Sequence, residues 1–195
     1  MYGGNTAQAW NALASSADGV KLVAAADPGY LYTSTDSGMT WTQRGTSARW
    51  YVLVSSTDGT KLFAQSWQNY FLYVSTDSGE TWAKQVDSQV YSSLASSVDG
   101  TKLVGGVQDD DGSPSYVYTS TDSGVTWTQR GTQGSWNAVA SSADGSKLVA
   151  GASYLPGPSV GIYTSVNSGQ SWTKRGLPRI RKPSQLLTCG ARRWP

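Results

Sequence analysis

Few residues of this chain could carry out acid–base chemistry. Among its 195 residues there is no histidine and one glutamate, Glu80, and every other acid is an aspartate. Two carboxylates can cleave a glycosidic bond when one protonates the leaving oxygen and the other activates water or attacks the sugar. Asp27, Asp87 and the run 109–111 are open to such a role. Their separation decides whether they could act together, so catalysis stays an alternative and not the leading hypothesis.

Aromatic and amide side chains suggest a second kind of chemistry, ligand binding. Trp67, Asn69 and Tyr70 lie close together in the sequence, and Tyr154 lies in a comparable connection. Aromatic rings beside amides suit stacking on sugar rings or gripping a peptide. The alternative is that these rings only cover sheet edges, because single exposed apolar residues are normal. The candidate ligand-binding residues are Asp27, Tyr30, Arg49, Trp67, Asn69, Tyr70, Asp109, Asp110 and Tyr154.

Metal binding is not favoured by the residues present. The acidic run Asp109–Gly112 could attract calcium, which prefers clustered oxygen ligands, but the remaining spacing of an EF-hand loop is missing. The only cysteine, Cys189, excludes a disulfide within the chain and disfavours a zinc site built from cysteines. We therefore expect a solvated acidic loop, no metal and no cofactor.

The charge is divided between the body of the chain and its C-terminal tail. Residues 1–175 carry 10 basic and 13 acidic side chains, a net charge of −3 (10 − 13), whereas residues 176–195 carry basic side chains and no acid. A weakly acidic body argues against nucleic acid, whose binding needs a clustered basic face. No apolar run approaches the roughly 18 residues of a membrane span. We expect a soluble chain, extracellular if a signal peptide is missing from this sequence.

Four tandem repeats determine the architecture that must position the candidate residues. Each repeat opens with an aromatic residue and reaches an Asp-Gly pair 8 residues later. Each then continues to an eight-residue segment, here called the box, whose Trp lies 9 residues before the next opening aromatic. All variation in length falls between the Asp-Gly pair and the box. The opening aromatics are Trp10, Trp50, Tyr91 and Trp136, and the boxes are residues 34–41, 75–82, 120–127 and 165–172.

Each repeat fits four short antiparallel strands, A to D. The Asp-Gly pair forms the A–B turn and the box forms the C–D turn, which gives strands over residues 10–16, 21–25, 30–34 and 40–44 in the first repeat. Four short strands in about 40 residues is the size of a propeller blade. We predict an all-β β-propeller with four four-stranded blades, either a closed small ring or part of a larger propeller. The predicted order is a lead-in over 1–9, blades over 10–49, 50–90, 91–135 and 136–176, and a basic, disordered tail over 177–195.

The boxes resemble the Asp-box, or bacterial neuraminidase repeat, of sialidases, sortilin-type receptors and photosystem II assembly factors. Three boxes match Ser-x-Asp-x-Gly-x-Thr-Trp throughout, and the fourth has Asn167 for Asp and Ser171 for Thr. The resemblance covers residues 10–175 and implies a propeller, but no single activity, because family members share the hairpin and differ in function. The structural box residues are Ser34, Asp36, Gly38, Trp41, Ser75, Asp77, Gly79, Trp82, Ser120, Asp122, Gly124, Trp127, Ser165, Asn167, Gly169 and Trp172.

A fragment of a sialidase-like glycoside hydrolase is the enzymatic alternative. In such an enzyme the resemblance implies three arginines that hold a carboxylate, a Tyr nucleophile with a Glu partner, and an Asp acid/base. Arg44, Arg130 and Arg175 all follow a box, so a role in strand D explains them, and Arg49 is the one arginine of residues 10–175 that lies outside the repeat. The sole glutamate, Glu80, lies inside a box. This set is incomplete, and we expect no catalysis by the chain alone.

The box itself has a mechanical explanation. Asp36 can accept hydrogen bonds from backbone N–H groups of its own loop, Gly38 permits a positive φ, and Trp41 can bury its ring beside the hairpin. Asn167 in the fourth box favours this structural role over calcium binding. An amide keeps most of the loop's hydrogen bonds but is a poorer calcium ligand than a carboxylate.

Function is expected at the end of the blades away from the boxes. Successive turns leave opposite ends of a sheet, so the A–B turns and boxes share one end and the B–C loops and D–A crossovers share the other. Only the B–C connection varies in length, and loops on a rigid scaffold hold most binding groups. We therefore predict a non-catalytic scaffold that binds a protein or glycan there. A homodimer is expected if the blades form an open arc, because unpaired edges invite association.

Overall fold

The computed structural model describes residues 8–85, 89–107, 115–153 and 160–176. The predictions about Asp87, Asp109, Asp110 and Tyr154 concern positions outside these ranges. The same holds for the C-terminal tail and for the first seven residues of the lead-in.

Four antiparallel sheets of four strands, each in sequence order, make up the described chain, so the all-β propeller prediction is confirmed. Blade 1 contains β1 (Trp10–Ser15), β2 (Leu22–Ala26), β3 (Gly29–Ser34) and β4 (Thr42–Ala48). Blade 2 contains β5 (Trp50–Ser55), β6 (Leu62–Ser66), β7 (Leu72–Ser75) and β8 (Ala83–Lys84). Blade 3 contains β9 (Tyr91–Ser96), β10 (Leu103–Val107), β11 (Val117–Ser120) and β12 (Thr128–Arg130). Blade 4 contains β13 (Ser135–Ser141), β14 (Leu148–Ser153), β15 (Gly161–Ser165) and β16 (Thr173–Arg175).

No described segment forms a helix that is long and apolar enough to cross a membrane.

One aromatic pair recurs in each blade. The opening aromatic lies edge-on to a tyrosine of the third strand, as in Trp50–Tyr73 (ring centroids 5.0 Å apart, interplanar angle 76°). Trp136 and Tyr163 repeat this geometry in blade 4 at 5.0 Å and 72°. Edge-to-face packing is a favoured arrangement of aromatic rings. The opening aromatic and the third-strand tyrosine of a blade therefore contact each other. The sequence spacing of the two residues does not predict this contact.

The hydrophobic core lies between the blades. At the junction of blades 1 and 2, Leu31 of β3 and Trp50 of β5 belong to one buried cluster, with Trp82 packed against it. Equivalent clusters fill the junctions of blades 2 and 3 and of blades 3 and 4. The first strands β1, β5, β9 and β13 pack on one another in this order. Each blade is thus held by apolar contacts with its neighbours, as in a propeller.

Backbone hydrogen bonds also join the A–B turns of successive blades. Ala17 N donates to Thr57 O (2.8 Å), Thr57 N to Val98 O (2.8 Å) and Val98 N to Ala143 O (2.7 Å). The bond occurs at the same position in all three junctions. It therefore fixes the relative height of neighbouring blades.

The four blades form an open arc. Among the described residues, β1 makes no contact with β13 comparable to those between neighbouring first strands. Trp10 of blade 1 is 53% exposed, whereas the equivalent Trp50 is 1% exposed. Trp41 is also exposed, so the prediction that its ring is buried is wrong for this box. Trp82 packs against blade 1, but no described blade precedes blade 1 to cover Trp41.

Candidate functional site

The boxes and the A–B turns lie together at one end of the blades, here called the box end. In blade 1, Ser37 of the box donates its N–H to Val20 O of the A–B turn (3.0 Å). In blade 2, Ser78 donates to Thr60 O in the same way (2.9 Å). The described parts of the B–C loops and D–A crossovers lie at the other end, here called the loop end. Asp27 N, for example, donates to Ala9 O there (2.9 Å).

Each of the three boxes that contain an aspartate closes on its own side chains, as the first one shows. Asp36 Oδ1 accepts the hydroxyl of Ser34 (2.7 Å) and the backbone N–H of Thr40 (2.9 Å), and the Thr40 hydroxyl donates to Oδ2 (2.5 Å). Trp41 Nε1 donates to Gly38 O (3.1 Å). Gly38 has φ +87°, the conformation that the pattern predicts for it. Most of the acceptor capacity of the carboxylate is thus used inside the loop.

The fourth box shows how an amide replaces the carboxylate. Asn167 Oδ1 accepts the hydroxyl of Ser165 (2.9 Å) and the backbone N–H of Ser171 (2.9 Å), as an aspartate would. Its Nδ2 donates to Ser171 Oγ (2.9 Å). The loop thus keeps its shape without a charge, which supports a structural role for the box. Within the described ranges, no three His, Cys, Asp or Glu side chains lie close enough together to hold a metal ion.

Hydrogen bonds keep the box carboxylates ionised at low pH. The Thr40 hydroxyl, followed by the Thr40 N–H and the Ser34 hydroxyl, lowers the pKa of Asp36 to about 2. The Thr81 hydroxyl has the largest part in lowering the pKa of Asp77 to about 2. Five further turn aspartates also have a pKa below their usual value, and they are Asp18, Asp58, Asp99, Asp122 and Asp144.

These shifts predict a loss of stability in acid. A carboxylate whose pKa is lower in the folded state, about 2 for Asp36, than in the unfolded chain, about 3.9, stabilises the fold above the unfolded value and stops doing so as pH falls through the folded value. We expect the melting temperature to be nearly constant from about pH 7 to 5 and to fall between about pH 4 and 2. Thermal unfolding followed by circular dichroism at each pH measures this.

Two reciprocal variants test whether the box carboxylates cause the loss of stability in acid. Asp77→Asn should make the fall in melting temperature shallower, because the amide keeps loop hydrogen bonds and has no proton to gain. Asn167→Asp should make it steeper, because it adds a carboxylate of the same kind. Identical pH profiles for both variants and the unmodified chain would mean that other groups cause the acid transition.

At the loop end, the B–C loop of blade 2 presents two exposed aromatic rings. Trp67 is 50% exposed and Tyr70 is 48% exposed. The Trp67 ring packs at a tilt against the Tyr51 ring of β5 (ring centroids 4.8 Å apart, interplanar angle 40°), and the backbone N–H of Trp67 donates to Arg49 O (2.8 Å). Tyr70 has φ +58°, an uncommon conformation for a residue other than glycine. The turn therefore holds the Trp67 ring against β5, and part of each ring faces solvent.

An ion pair joins blades 1 and 2 through Arg49, whose backbone carbonyl accepts the Trp67 N–H. Arg49 Nε, in the D–A crossover, contacts Asp27 Oδ1 of the first B–C loop at 3.0 Å. The Arg49 side chain is largely exposed and that of Asp27 is mostly covered. Solvent screens such a pair, so it contributes more to the placement of the guanidinium than to stability. Three of the predicted candidates, Asp27, Arg49 and Trp67, are thus linked through one crossover.

The remaining described candidates have different positions. Asn69 Nδ2 donates to Tyr73 Oη (2.9 Å), so this amide holds the loop to β7. Tyr30 lies in β3 next to the first B–C loop and is half-buried. Neither has a contact that links it directly to the Trp67 ring among the described residues.

Tyr51 is a residue of this site that the sequence analysis missed. Its hydroxyl is buried and has no hydrogen-bond partner within the described part of the chain. Burial, followed by the nearby Tyr70, raises the pKa of this hydroxyl above its usual value. The sequence did contain a sign that Tyr51 is unusual. The residue after the opening aromatic is Asn11, Ser92 or Asn137 in the other repeats, and it is aromatic only in the second repeat. A residue that differs in type from its equivalents in the other repeats is therefore a candidate for a role specific to its own blade.

Comparisons of sequence find no relative, since no family model matches the chain and no curated protein matches it. Solved structures do match. A GH74 xyloglucanase from Xanthomonas campestris superposes with a TM-score of 0.63 at 20% identity, covering 83% of this chain and 29% of that protein. YCF48 bound to D1 peptide superposes with a TM-score of 0.57 at 17% identity, covering 85% of this chain and 51% of that protein.

A third match is hydrazine synthase from Kuenenia stuttgartiensis, with a TM-score of 0.67 at 12% identity over 84% of this chain and 47% of that protein. The chain therefore spans about half of the length of YCF48 and hydrazine synthase and less than a third of the xyloglucanase. All three are β-propeller proteins. At these identities the likeness shows the fold alone, and the fold of the described chain is that of four consecutive propeller blades.

Proposed function

We propose that the chain is a non-catalytic Asp-box β-propeller scaffold that binds a protein or a glycan at its loop end. The observation that carries the proposal is the Trp67 ring, which packs against Tyr51 and is still half-exposed. A ring already held in place loses little conformational freedom on binding, and preorganisation of this kind increases affinity. Tryptophan, tyrosine and arginine are also the side chains most enriched at binding hot spots.

The surrounding groups suit a ligand with both apolar and polar parts. Tyr70 adds a second exposed ring, and Arg49 adds an exposed guanidinium held by Asp27. A sugar could stack on the ring of Trp67 while its hydroxyl oxygens accept hydrogen bonds from the Arg49 guanidinium, and a peptide could place an apolar side chain there. YCF48, one of the structural neighbours, is bound to D1 peptide, which supports a peptide or protein as the ligand.

A fragment of a glycoside hydrolase is the second candidate function. The observation in its favour is the set of structural neighbours that are GH74 enzymes. The described carboxylates favour the scaffold, because those of the boxes bind their own loops and Asp27 pairs with Arg49. Glu80 lies in the second box, at the end of the blades away from the aromatic loop. These positions give the described residues no pair of carboxylates facing the Trp67 surface.

Two assays on the same preparation separate the candidates. The chain is applied to a glycan array and an array of unrelated peptides, and a fluorogenic sialoside and xyloglucan are tested for turnover. The scaffold predicts capture of at least one glycan or peptide and no turnover. Turnover that purifies with the chain would contradict the proposal, and so would the absence of any ligand on both arrays.

Trp67→Ala and Tyr70→Ala test the position of the site. Each should weaken binding of a captured ligand about tenfold or more, because truncating an aromatic hot spot commonly costs about 2 kcal/mol. Val125→Ala is the control, since Val125 is an exposed apolar residue at the box end. Titration by calorimetry measures all three variants. Equal affinities across them would place the site elsewhere on the molecule.

A further inference from the structure

The three junctions between blades repeat the same contacts. The box glycine of one blade lies against the third strand of the blade before it: a Cβ added at Gly79 would be 2.5 Å from Thr33 Cγ2, and one added at Gly169 would be 2.8 Å from Thr119 Cγ2. The glycine of the A–B turn lies against a lysine of the preceding blade. A Cβ added at Gly59 would be 2.8 Å from Lys21 Cβ. The pairs Gly100–Lys61 and Gly145–Lys102 repeat this approach.

Every junction therefore has a receiving half and an entering half. The receiving half is the face of a blade that carries the lysine at the start of its second strand and the side chains of its third strand. The entering half is the opposite face, which carries the opening aromatic, the A–B turn glycine and the box. The two halves fit together with the same register three times in this chain.

Blade 4 carries a receiving half that no described residue of another blade occupies. Lys147 and Thr164, which are equivalent to Lys21 and Thr33, line an open groove of about 480 Å³ together with Val149, Val166 and Arg175. Ile162 of β15 is 38% exposed, whereas the equivalent Leu31 is 0% exposed. Val149 is likewise exposed, although the equivalent residues of the other blades are buried. The groove is thus the counterpart of the surface that holds the next blade in each internal junction.

Blade 1 carries an entering half that meets no other blade among the described residues. A Cβ added at Gly19 would have no atom within 4 Å, whereas the equivalent glycines of the other blades meet a lysine. Trp10, Leu13 and Trp41 are exposed on the same blade. The Trp82 ring approaches Gly45 in the first junction (3.8 Å from an added Cβ), which is the contact that Trp41 lacks.

We propose that two copies of this chain associate head to tail, with blade 1 of one copy occupying the groove on blade 4 of the other. The occupant is a second copy because the chain itself carries both halves of a junction that it already makes three times. Polar groups match as well: Lys102 Nζ donates to Asp144 O (2.8 Å) across the last internal junction, and Lys147 would meet Asp18 O in the same way. This association is independent of the ligand proposed for the loop end.

The geometry of the contact is heterologous, since different surfaces of the two copies meet. Each copy offers one groove and one blade 1 face, so two copies can make the contact twice if the arcs close into a ring. Burial of the exposed apolar side chains Trp10, Leu13, Val149 and Ile162 would drive association, because removing apolar surface from water is favourable. The loop end, with Trp67, is not part of either face.

Light scattering on the full chain, with variants on both faces, tests the proposal. The unmodified chain should be a dimer. Thr164→Arg in the groove and Leu13→Arg on blade 1 should each raise the dissociation constant at least about tenfold, because each buries an unpaired charge in the contact. Met39→Arg is the matched control, because Met39 and the equivalent box residue Val125 are both exposed, so this position stays outside the junctions. A monomeric unmodified chain, or a dimer that tolerates both face variants, would overturn the proposal.

Cross-linking distinguishes head-to-tail contact from a symmetric one. In a Cys189→Ser background, Gly19→Cys and Lys147→Cys are placed on separate copies at positions whose internal equivalents lie within reach of a disulfide. The mixture should form a disulfide-linked dimer under mild oxidation much faster than either variant alone. Met39→Cys mixed with Lys147→Cys should not. A cross-link that forms equally fast in either variant alone would show a symmetric interface and refute the head-to-tail arrangement.

Discussion

Trp50→Ala should lower the free energy of unfolding by about 3–5 kcal/mol, the usual cost of truncating a fully buried aromatic residue. The Trp50 ring is buried between blades 1 and 2, edge-on to Tyr73, and its Nε1 donates to Gly29 O (3.2 Å). Alanine would leave a cavity at the junction and deprive a backbone carbonyl of its donor. Denaturant unfolding followed by circular dichroism gives the change in free energy.

Trp10→Ala is the matched control, because Trp10 opens blade 1 as Trp50 opens blade 2. The Trp10 ring has the equivalent edge-on partner, Tyr32, at 5.3 Å, but it is exposed. Its loss should cost less than about 1.5 kcal/mol, since little surface returns to water. Both variants are measured in the Thr164→Arg background, so that association does not cover Trp10. A Trp10→Ala penalty as large as that of Trp50→Ala would contradict the open arc.

The sequence predicted those parts of the fold that repeat. Fixed intervals between the opening aromatic, the Asp-Gly pair and the box determined where each turn lies, and the turns determined the strands. Gly19 and Gly38 both have positive φ, as the turn chemistry required. The first blade shows the limit, since β4 (Thr42–Ala48) begins two residues later and runs four residues further than the predicted fourth strand. The first and last residues of a strand depend on its pairing with the adjacent strand, and the intervals of the repeat do not determine where this pairing stops.

The ends of the arc could not be predicted from the repeat. Trp41 and Trp82 occupy the same box position, so their sequence gives no reason to expect different exposure. The difference comes from the blade beneath Trp82, which Trp41 lacks. A side chain that is buried by a neighbouring repeat reveals its environment only when the order of the repeats in space is known.

The candidate site was predicted in part, for a related reason. Trp67 and Tyr70 were found because they lie in the only connection that varies in length. The pairing of Arg49 with Asp27 joins two blades, so it depends on geometry between repeats. Tyr51 was missed because it lies in a strand, where an aromatic residue is expected to belong to the hydrophobic core. Its position next to an exposed ring became evident only when the loop was seen to fold back over β5.

Gly106→Ala tests how closely blades 3 and 4 approach each other. An added Cβ at Gly106 of β10 would lie 2.7 Å from Trp136 O and 3.2 Å from Trp136 C, both backbone atoms of β13. Backbone cannot move aside as a flexible side chain can, and Trp136 O also accepts the Ser92 hydroxyl (2.6 Å). We expect a loss of about 1–3 kcal/mol in the free energy of unfolding, the usual cost of overpacking. Denaturant unfolding measures it.

Gly151→Ala is the control at the same position of blade 4, three residues after the first residue of the second strand. The nearest atoms to an added Cβ are Ala138 Cβ at 3.8 Å and Ala138 O at 3.9 Å, which is ordinary contact within the same blade. Both glycine variants are measured in the Thr164→Arg background, because in the proposed dimer blade 1 of a second copy would approach Gly151 as blade 4 approaches Gly106. Alanine restricts the unfolded chain, so in this background Gly151→Ala should be neutral or stabilise by up to about 1 kcal/mol. The two substitutions add the same methyl group to the same strand position and should therefore have opposite effects. If Gly106→Ala is as well tolerated as Gly151→Ala, the neighbouring blade is not in contact at this point, and the junction that defines the arc is wrong.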